Sequence, residues 1–375
     1  MNFKGLIKDL WHSRKFYIIL AFIVFLALLP LLVGGGYTLS EVLTPMIIFA
    51  VYASSWNLLA YSGQGSLGHA AFLGIGGFSS AIIGGSMATT AESWLGTTQM
   101  PIGALSVTIQ VVSLLIGGLL SAGVGLLIGL ACVRLKAWYL AMVTFGFSVI
   151  AATLSSQFDS ITQGINGYAT TTLVSKGFPF YVLVVSFAVT SIAAMYLIMK
   201  SRMGLAFKAI HGNEAEAKMI GINTAKYKLI AFVISTFFAG LAGGLYAYFI
   251  RLIDNSVFSP ANSFTPLIMT VIGGLGTVAG PIIGSVFLVS VQQTLALPGV
   301  VESLRSGLGA YFPQVSNVGP PISYIVIGII LVVIVIFAPK GLISYFQKAY
   351  KYLTTESKQK GGKPQSKEQT TSPKP

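Results

Sequence analysis

Charge is scarce in this chain. Only 9% of its 375 residues are Asp, Glu, Lys or Arg, against about 25% in an ordinary soluble domain. Acid is scarcer than base, 10 residues against 23. Glu41, Glu92, Asp159 and Asp254 all fall near the predicted outer ends of apolar runs. A proton-driven carrier usually needs an ionisable relay inside its bundle. The lack of one argues against that mechanism and leaves sodium coupling through carbonyls open. Cysteine is nearly absent too. Cys132 alone allows no internal disulfide and reads as a small packing residue at the end of an apolar run. There is no G-x-x-x-x-G-K-[ST] nucleotide loop, no H-E-x-x-H and no paired Cys/His spacing. An enzyme has no catalytic or metal constellation to stand on, and no cofactor is expected in this chain.

Apolar sequence is what remains. Hydrophobic residues make up 54%, and the mean hydropathy is +0.80. The fold class this predicts is an all-α polytopic membrane protein. The net charge of +13 lies mostly beside apolar runs and in the C-terminal tail. That placement suits membrane topology and anionic lipid rather than nucleic acid. Residues 1–15 read as a basic cytoplasmic N-terminus, 16–345 as the transmembrane domain, and 346–375 as a cytoplasmic tail. Within the tail, 354–375 has no aliphatic or aromatic residue and is expected to be disordered.

The expected spans are Phe16–Val33, Val42–Leu59, Ala70–Met87, Ile102–Val133, Ala137–Ser156, Phe180–Met199, Leu229–Ile250 and Ile322–Phe337. A further apolar stretch, Leu267–Leu297, is broken at Gly273, Gly274, Gly276, Gly280 and Pro281. Its flanks, Arg251–Pro266 and Pro298–Pro321, must both lie outside if Lys340 is inside. The stretch then enters and leaves on one face, as a re-entrant hairpin or two shortened spans. Irregular backbone at membrane depth must be buried in protein or line a watery cavity. The total is about 8 full spans plus this element, roughly 8–10 transmembrane helices.

The longest charged interruption is Lys200–Lys228, with six Lys or Arg against Glu214 and Glu216. The positive-inside rule puts it in the cytoplasm. Asn213 and Glu216 have capping-box spacing, Glu214 and Lys218 are an i,i+4 pair, and Gly221 is a C-terminal stop. These predict a short capped helix, Glu214–Ile220, whose small face (Ala215, Ala217) suits close approach by a partner.

Three stretches carry a family resemblance. SRMGLAFKAIHGNEAEAKMIGINTAKYKLIAF resembles the cytoplasmic loop of LivM-like permeases of branched-chain amino-acid ABC importers. NLLAYSGQGSLGHAAFLGIGGFSSA, Asn57–Ala81, is similar to the NLL-GY-G-SLGHAAFFGIGAY signature of those permeases and their urea-permease relatives. MTVIGGLGTVAGPIIGSVFL, Met269–Leu288, is similar to their GGLGT--GP--GA pattern. TQGINGY, Thr162–Tyr168, resembles TGG-NGL but departs from it, and Asn166-Gly167 reads as a plain turn.

The resemblance implies a multi-pass permease in the cell membrane with both termini cytoplasmic. It also implies two cytoplasmic ATPase subunits that bind the ATP, a second, related (LivH-like) permease and an extracytoplasmic solute-binding protein. Asn213, Glu214, Glu216, Ala217, Lys218 and Gly221 would couple to an ATPase. Asn57, Ser62, Gly63, Gln64, Ser66 and His69, with the five breakers of the second stretch, are candidates for the translocation path. His69 reads first as a structurally bonded or hydrated residue at a span end. A urea or short-amide permease is the alternative within the class, and an ion-coupled carrier or channel outside it.

Overall fold

The computed structural model describes residues 36–95, 103–132, 135, 137–297, 299–300, 303, 328–329, 332–333, 336–337 and 341–344. The expected first span, most of the last one and the tail lie outside these residues. Among the described residues, seven helices are long and apolar enough to cross a membrane. They are α1 (Gly36–Ala60), α2 (His69–Leu95), α3 (Ala104–Cys132), α4 (Ala137–Gln157), α6 (Phe178–Lys200), α9 (Thr224–Ile250) and α11 (Ala279–Ala296). The remaining helices are short: α5 (Asp159–Thr162), α7 (Arg202–Gly212), α8 (Glu214–Met219) and α10 (Pro260–Gly273). Two two-residue strands, Tyr168–Ala169 (β1) and Leu252–Ile253 (β2), pair antiparallel with Tyr168 opposite Ile253. The chain is thus an all-α polytopic membrane protein. Each expected span that falls on described residues is present, with α2 running past Met87 to Leu95.

The centre is a close triple of α2, α3 and α9. Apolar surface gives little driving force between helices in lipid, so small residues that admit a neighbouring backbone decide such contacts. Gly243 of α9 lies against Leu73 of α2, where a Cβ would overlap the Leu73 carbonyl oxygen. Gly76 of α2 meets Gly240 of α9 in the same way. Ser121 Oγ of α3 lies within hydrogen-bond reach of the carbonyls of both Phe72 (3.1 Å) and Thr236 (2.9 Å), sharing its one proton between them and tying all three helices. Helix α1 joins this triple to α6 on one flank and to the α10–α11 hairpin on another.

The hairpin is real but asymmetric. Helix α10 has 14 residues; at 1.5 Å each these reach about 21 Å, short of the roughly 30 Å hydrocarbon layer. The expectation of an outer segment over Arg251–Pro266 holds only for its beginning. Val257, Phe258, Ser263 and Pro266 are buried. The Phe258 ring stacks on Phe78 at 5.9 Å, and its carbonyl accepts from Ser148 Oγ, midway along α4, at 3.0 Å. The chain turns back into the bundle after α9, and α10 starts near the middle. Gly74 makes room for it, since a Cβ there would strike the Phe258 ring. Polar residues made this segment look solvent-facing; helix capping and interhelical bonds satisfy them instead, Ser259 accepting from Asn262 N–H and Tyr52 donating to the Asn262 carbonyl.

Candidate functional site

Both glycine-broken stretches and the charged loop gather at one end of the bundle. The loop after α1 is the hub. Gly63 has φ +76, and a Cβ there would press on His211 of α7. Gly68 lies flat on Thr144 of α4, where a Cβ would overlap its carbonyl. Gln64 Nε2 donates to Ser62 Oγ and to the Lys228 carbonyl of α9, both at 2.9 Å. Trp56 Nε1 donates to the Ser66 carbonyl at 2.8 Å. Asn57 clamps the turn between α10 and α11: its Oδ1 accepts from Gly276 N–H at 2.9 Å, and its Nδ2 donates to the Thr277 carbonyl at 2.8 Å. Gly274 and Gly276 adopt φ +127 and +75 in that turn. A Cβ on Gly273 would overlap the Gly280 carbonyl, and Pro281 is buried one residue on. The candidate path residues therefore do come together, but as buried packing: Asn57, Ser62, Gln64, Ser66 and His69 are all under 10% exposed.

Of the two readings given for His69, the structure has the structurally bonded one and not the hydrated one. His69 is fully buried, with Nε2 at 3.1 Å from Ser235 Oγ and 3.4 Å from Ser55 Oγ. Each serine directs its own proton to a carbonyl, Ser235 to Ser55 and Ser55 to Tyr52, both at 2.7 Å. A hydroxyl has one proton to donate. Both serines therefore accept, and Nε2 carries the hydrogen. Nδ1 is left as an acceptor without a hydrogen-bond partner among the described residues.

Helix α8 is capped as its residues predict. Asn213 Oδ1 accepts from the amides of Ala215 (3.0 Å) and Glu216 (3.4 Å). Glu216 returns to the Asn213 side-chain amide at 2.6 Å rather than to its backbone. Gly221 has φ +84, with Gly221 N–H on the Lys218 carbonyl and Ile222 N–H on that of Ala217, both at 3.0 Å. This is a Schellman stop. Glu214 and Lys218 pair at 3.1 Å.

Ala217 is a correction. It is 2% exposed and faces the protein's own interior, so it offers no surface to a partner. A sequence places alanines on a helix but does not say which side a six-residue helix turns inward. The outward residues include Ala215, Met219 and Ile220, the last two 78% and 74% exposed, beside the charged Glu216 and Lys218. Two further features escaped the sequence reading. Helix α7 packs under α8, although Met203, Ala206, Phe207 and Ile210 have helical i, i+3, i+4, i+7 spacing that marks it. Glu214 also reaches α9, where it pairs with Lys228 and accepts from Thr224 Oγ1 at 3.1 Å. The Lys228 hydrogen bond is the main reason its carboxyl falls from 4.5 to about 2.

A model of the branched-chain amino acid transport system / permease component family matches residues 38–335. The chain belongs to this family. It is 24% identical to the high-affinity branched-chain amino acid transport system permease protein LivM of Salmonella typhimurium, across 91% of this chain and 77% of that protein. It is 26% identical to the LivM protein of Escherichia coli, across 61% of this chain and 56% of that one. A shorter match, 32% identical over 32% of this chain and 33% of the other, is to the xylose transport system permease protein XylH of Haemophilus influenzae. No solved structure matches the chain. The permease thus has relatives named for chemically different solutes, and its buried polar contacts are bundle-forming ones.

Proposed function

We propose that this permease is the membrane-spanning subunit of an ABC importer for branched-chain amino acids. The observation that carries the reading is the family match over residues 38–335, which takes in the whole described bundle together with α7 and α8. Two cytoplasmic ATPases, a second related permease and an extracytoplasmic binding protein complete the assembly. Asn213, Glu214, Glu216, Lys218 and Gly221 build and hold α8, and Ala215, Met219 and Ile220 present it to an ATPase. An apolar pair on a capped helix suits this role, since exposed Met and Ile at a water-facing helix are otherwise unfavourable.

Asn57, Ser62–Gln64, Ser66, His69 and the Gly273–Pro281 breakers form the packed wall behind the translocation path rather than a solute cage. Selectivity then rests largely with the binding protein. The test is reconstitution of this permease with ATPases, a second permease and a binding protein from the same source. ATP-dependent uptake of labelled leucine, isoleucine and valine is expected. Uptake of urea in preference to leucine would replace the solute, and leucine uptake without ATP would replace the importer reading with a carrier.

A further inference from the structure

Lys228 occupies an unfavourable place for a cation. It is the fifth residue of α9, near a helix N-terminus whose unpaired amides disfavour positive charge. It is also 9% exposed, where a charge needs a partner. That partner is Glu214 of α8. The same carboxylate accepts from Thr224 at the first residue of α9, so one side chain grips two points in the first turns of that span. Helix α8 does not need this grip in order to be a helix, because Asn213 and Gly221 close both of its ends. What the grip sets is where α8 sits on α9. From Lys228 the connection continues: its carbonyl accepts from Gln64, whose loop runs directly into His69 and α2. The exposed Lys218 end of the Glu214 network has no such continuation and is an ordinary surface pair.

We propose that the Glu214–Lys228 pair is the strut by which movement of α8 is delivered to α9 and, through Gln64, to the loop before α2. Both residues act as positioning residues, and the proposal rests on the reading of α8 as the contact with an ATPase. A strut of this kind should be severable without removing the docking face, because Met219 and Ile220 lie on the outward side of α8.

The experiment compares Lys228→Met with the charge-swapped pair Glu214→Lys/Lys228→Glu in the fully assembled transporter. Lys228→Met keeps an apolar stem in the buried position and leaves Glu214 free to face water, so it avoids a stranded buried cation. Two quantities are read: ATPase subunits co-purified per permease, and solute imported per ATP hydrolysed. Lys228→Met should keep its ATPases while import per ATP falls roughly fivefold or more, the lower edge of ordinary coupling effects. The swap should restore much of the ratio. An unchanged ratio in Lys228→Met would overturn the proposal. So would loss of the ATPases, since the pair would then be holding the docking face rather than carrying movement. A wild-type assembly that retains no ATPase would instead remove the reading beneath it.

Discussion

Asn57 does more than its one side chain suggests. Its amide satisfies the Gly276 N–H and the Thr277 carbonyl, two groups in a turn whose positive-φ glycines leave few backbone partners. Asn57→Leu keeps the volume and strands both groups. A buried unpaired polar group costs about 1–3 kcal/mol; these two are part-buried, so the variant should lose about 1–3 kcal/mol in all and unfold at a lower temperature in detergent. Gly65→Ala is the control. Nothing lies within 4 Å of a Cβ there, and the change should stay within about 0.5 kcal/mol. His69 offers a second check. Nitrogen NMR on protein with His12 and His211 replaced should find Nε2 protonated and Nδ1 bare, as the two serine donors require. A protonated Nδ1 would mean the serines direct their hydrogens elsewhere. That Asn57 and His69 flank a glycine-rich loop was legible in the sequence. Their partners were not, because Thr277 and Ser235 are 220 and 166 residues away, and no local pattern encodes contacts at such separations.

At the scale of elements, long apolar runs and short capping signals were readable, and facing was not. A span needs about 20 apolar residues, so its existence follows from composition; α1, α3, α4 and α6 each begin and end within a few residues of their expected positions, apart from the earlier start of α1. The capping residues around α8 likewise act on their own neighbours. Ala217 turning inward and residues 257–266 folding into the bundle depend on distant surfaces, Phe78 and Ser148 among them for the second, and neither small size nor polarity reports those. Two predictions belong here. Gly221→Ala forces a Cβ into a left-handed backbone with open space around it, and should destabilise the α8 stop by about 1–2 kcal/mol, Gly221→Asn by less. The Glu214 carboxyl is held down to about 2 from 4.5, first by its Lys228 bond. A depressed carboxyl stabilises the folded form above its unfolded value and ceases to do so as pH falls through the folded one. Protection of the amides of residues 214–221 should therefore hold down to about pH 4.5 and fall between there and about pH 2. Loosening that is complete by pH 5 would place the attachment on some other group.

For the whole molecule, the two ends of the bundle differ in charge as well as in structure. At the end that gathers α7, α8 and the start of α9 lie Lys200, Arg202, Lys208, Lys218, Lys226 and Lys228, against Glu214 and Glu216. The other end holds β1, β2 and the Lys176–Glu41 pair at 3.8 Å, with Glu92, Asp159, Asp254 and Arg251 nearby. Lys and Arg near span ends set orientation far more than acids do, so the α7–α8 end should face the cytoplasm. The contacts that run from loop 61–68 through α9 to β2 make these two ends parts of one body, and an orientation found for one fixes the other. The measurement is cysteine labelling in a Cys132→Ala background. Ala215→Cys, on the outward side of α8, should react with an impermeant reagent only when the cytoplasmic face is opened. Ile165→Cys, at a position 79% exposed in the short 3-10 turn Gly164–Asn166 that precedes β1, should react in intact cells. Reversal of both would invert the permease and put α8 out of reach of any cytoplasmic ATPase. Labelling of both from one side would break the single crossing that α6 imposes between those positions, and with it the assignment of that helix as a span.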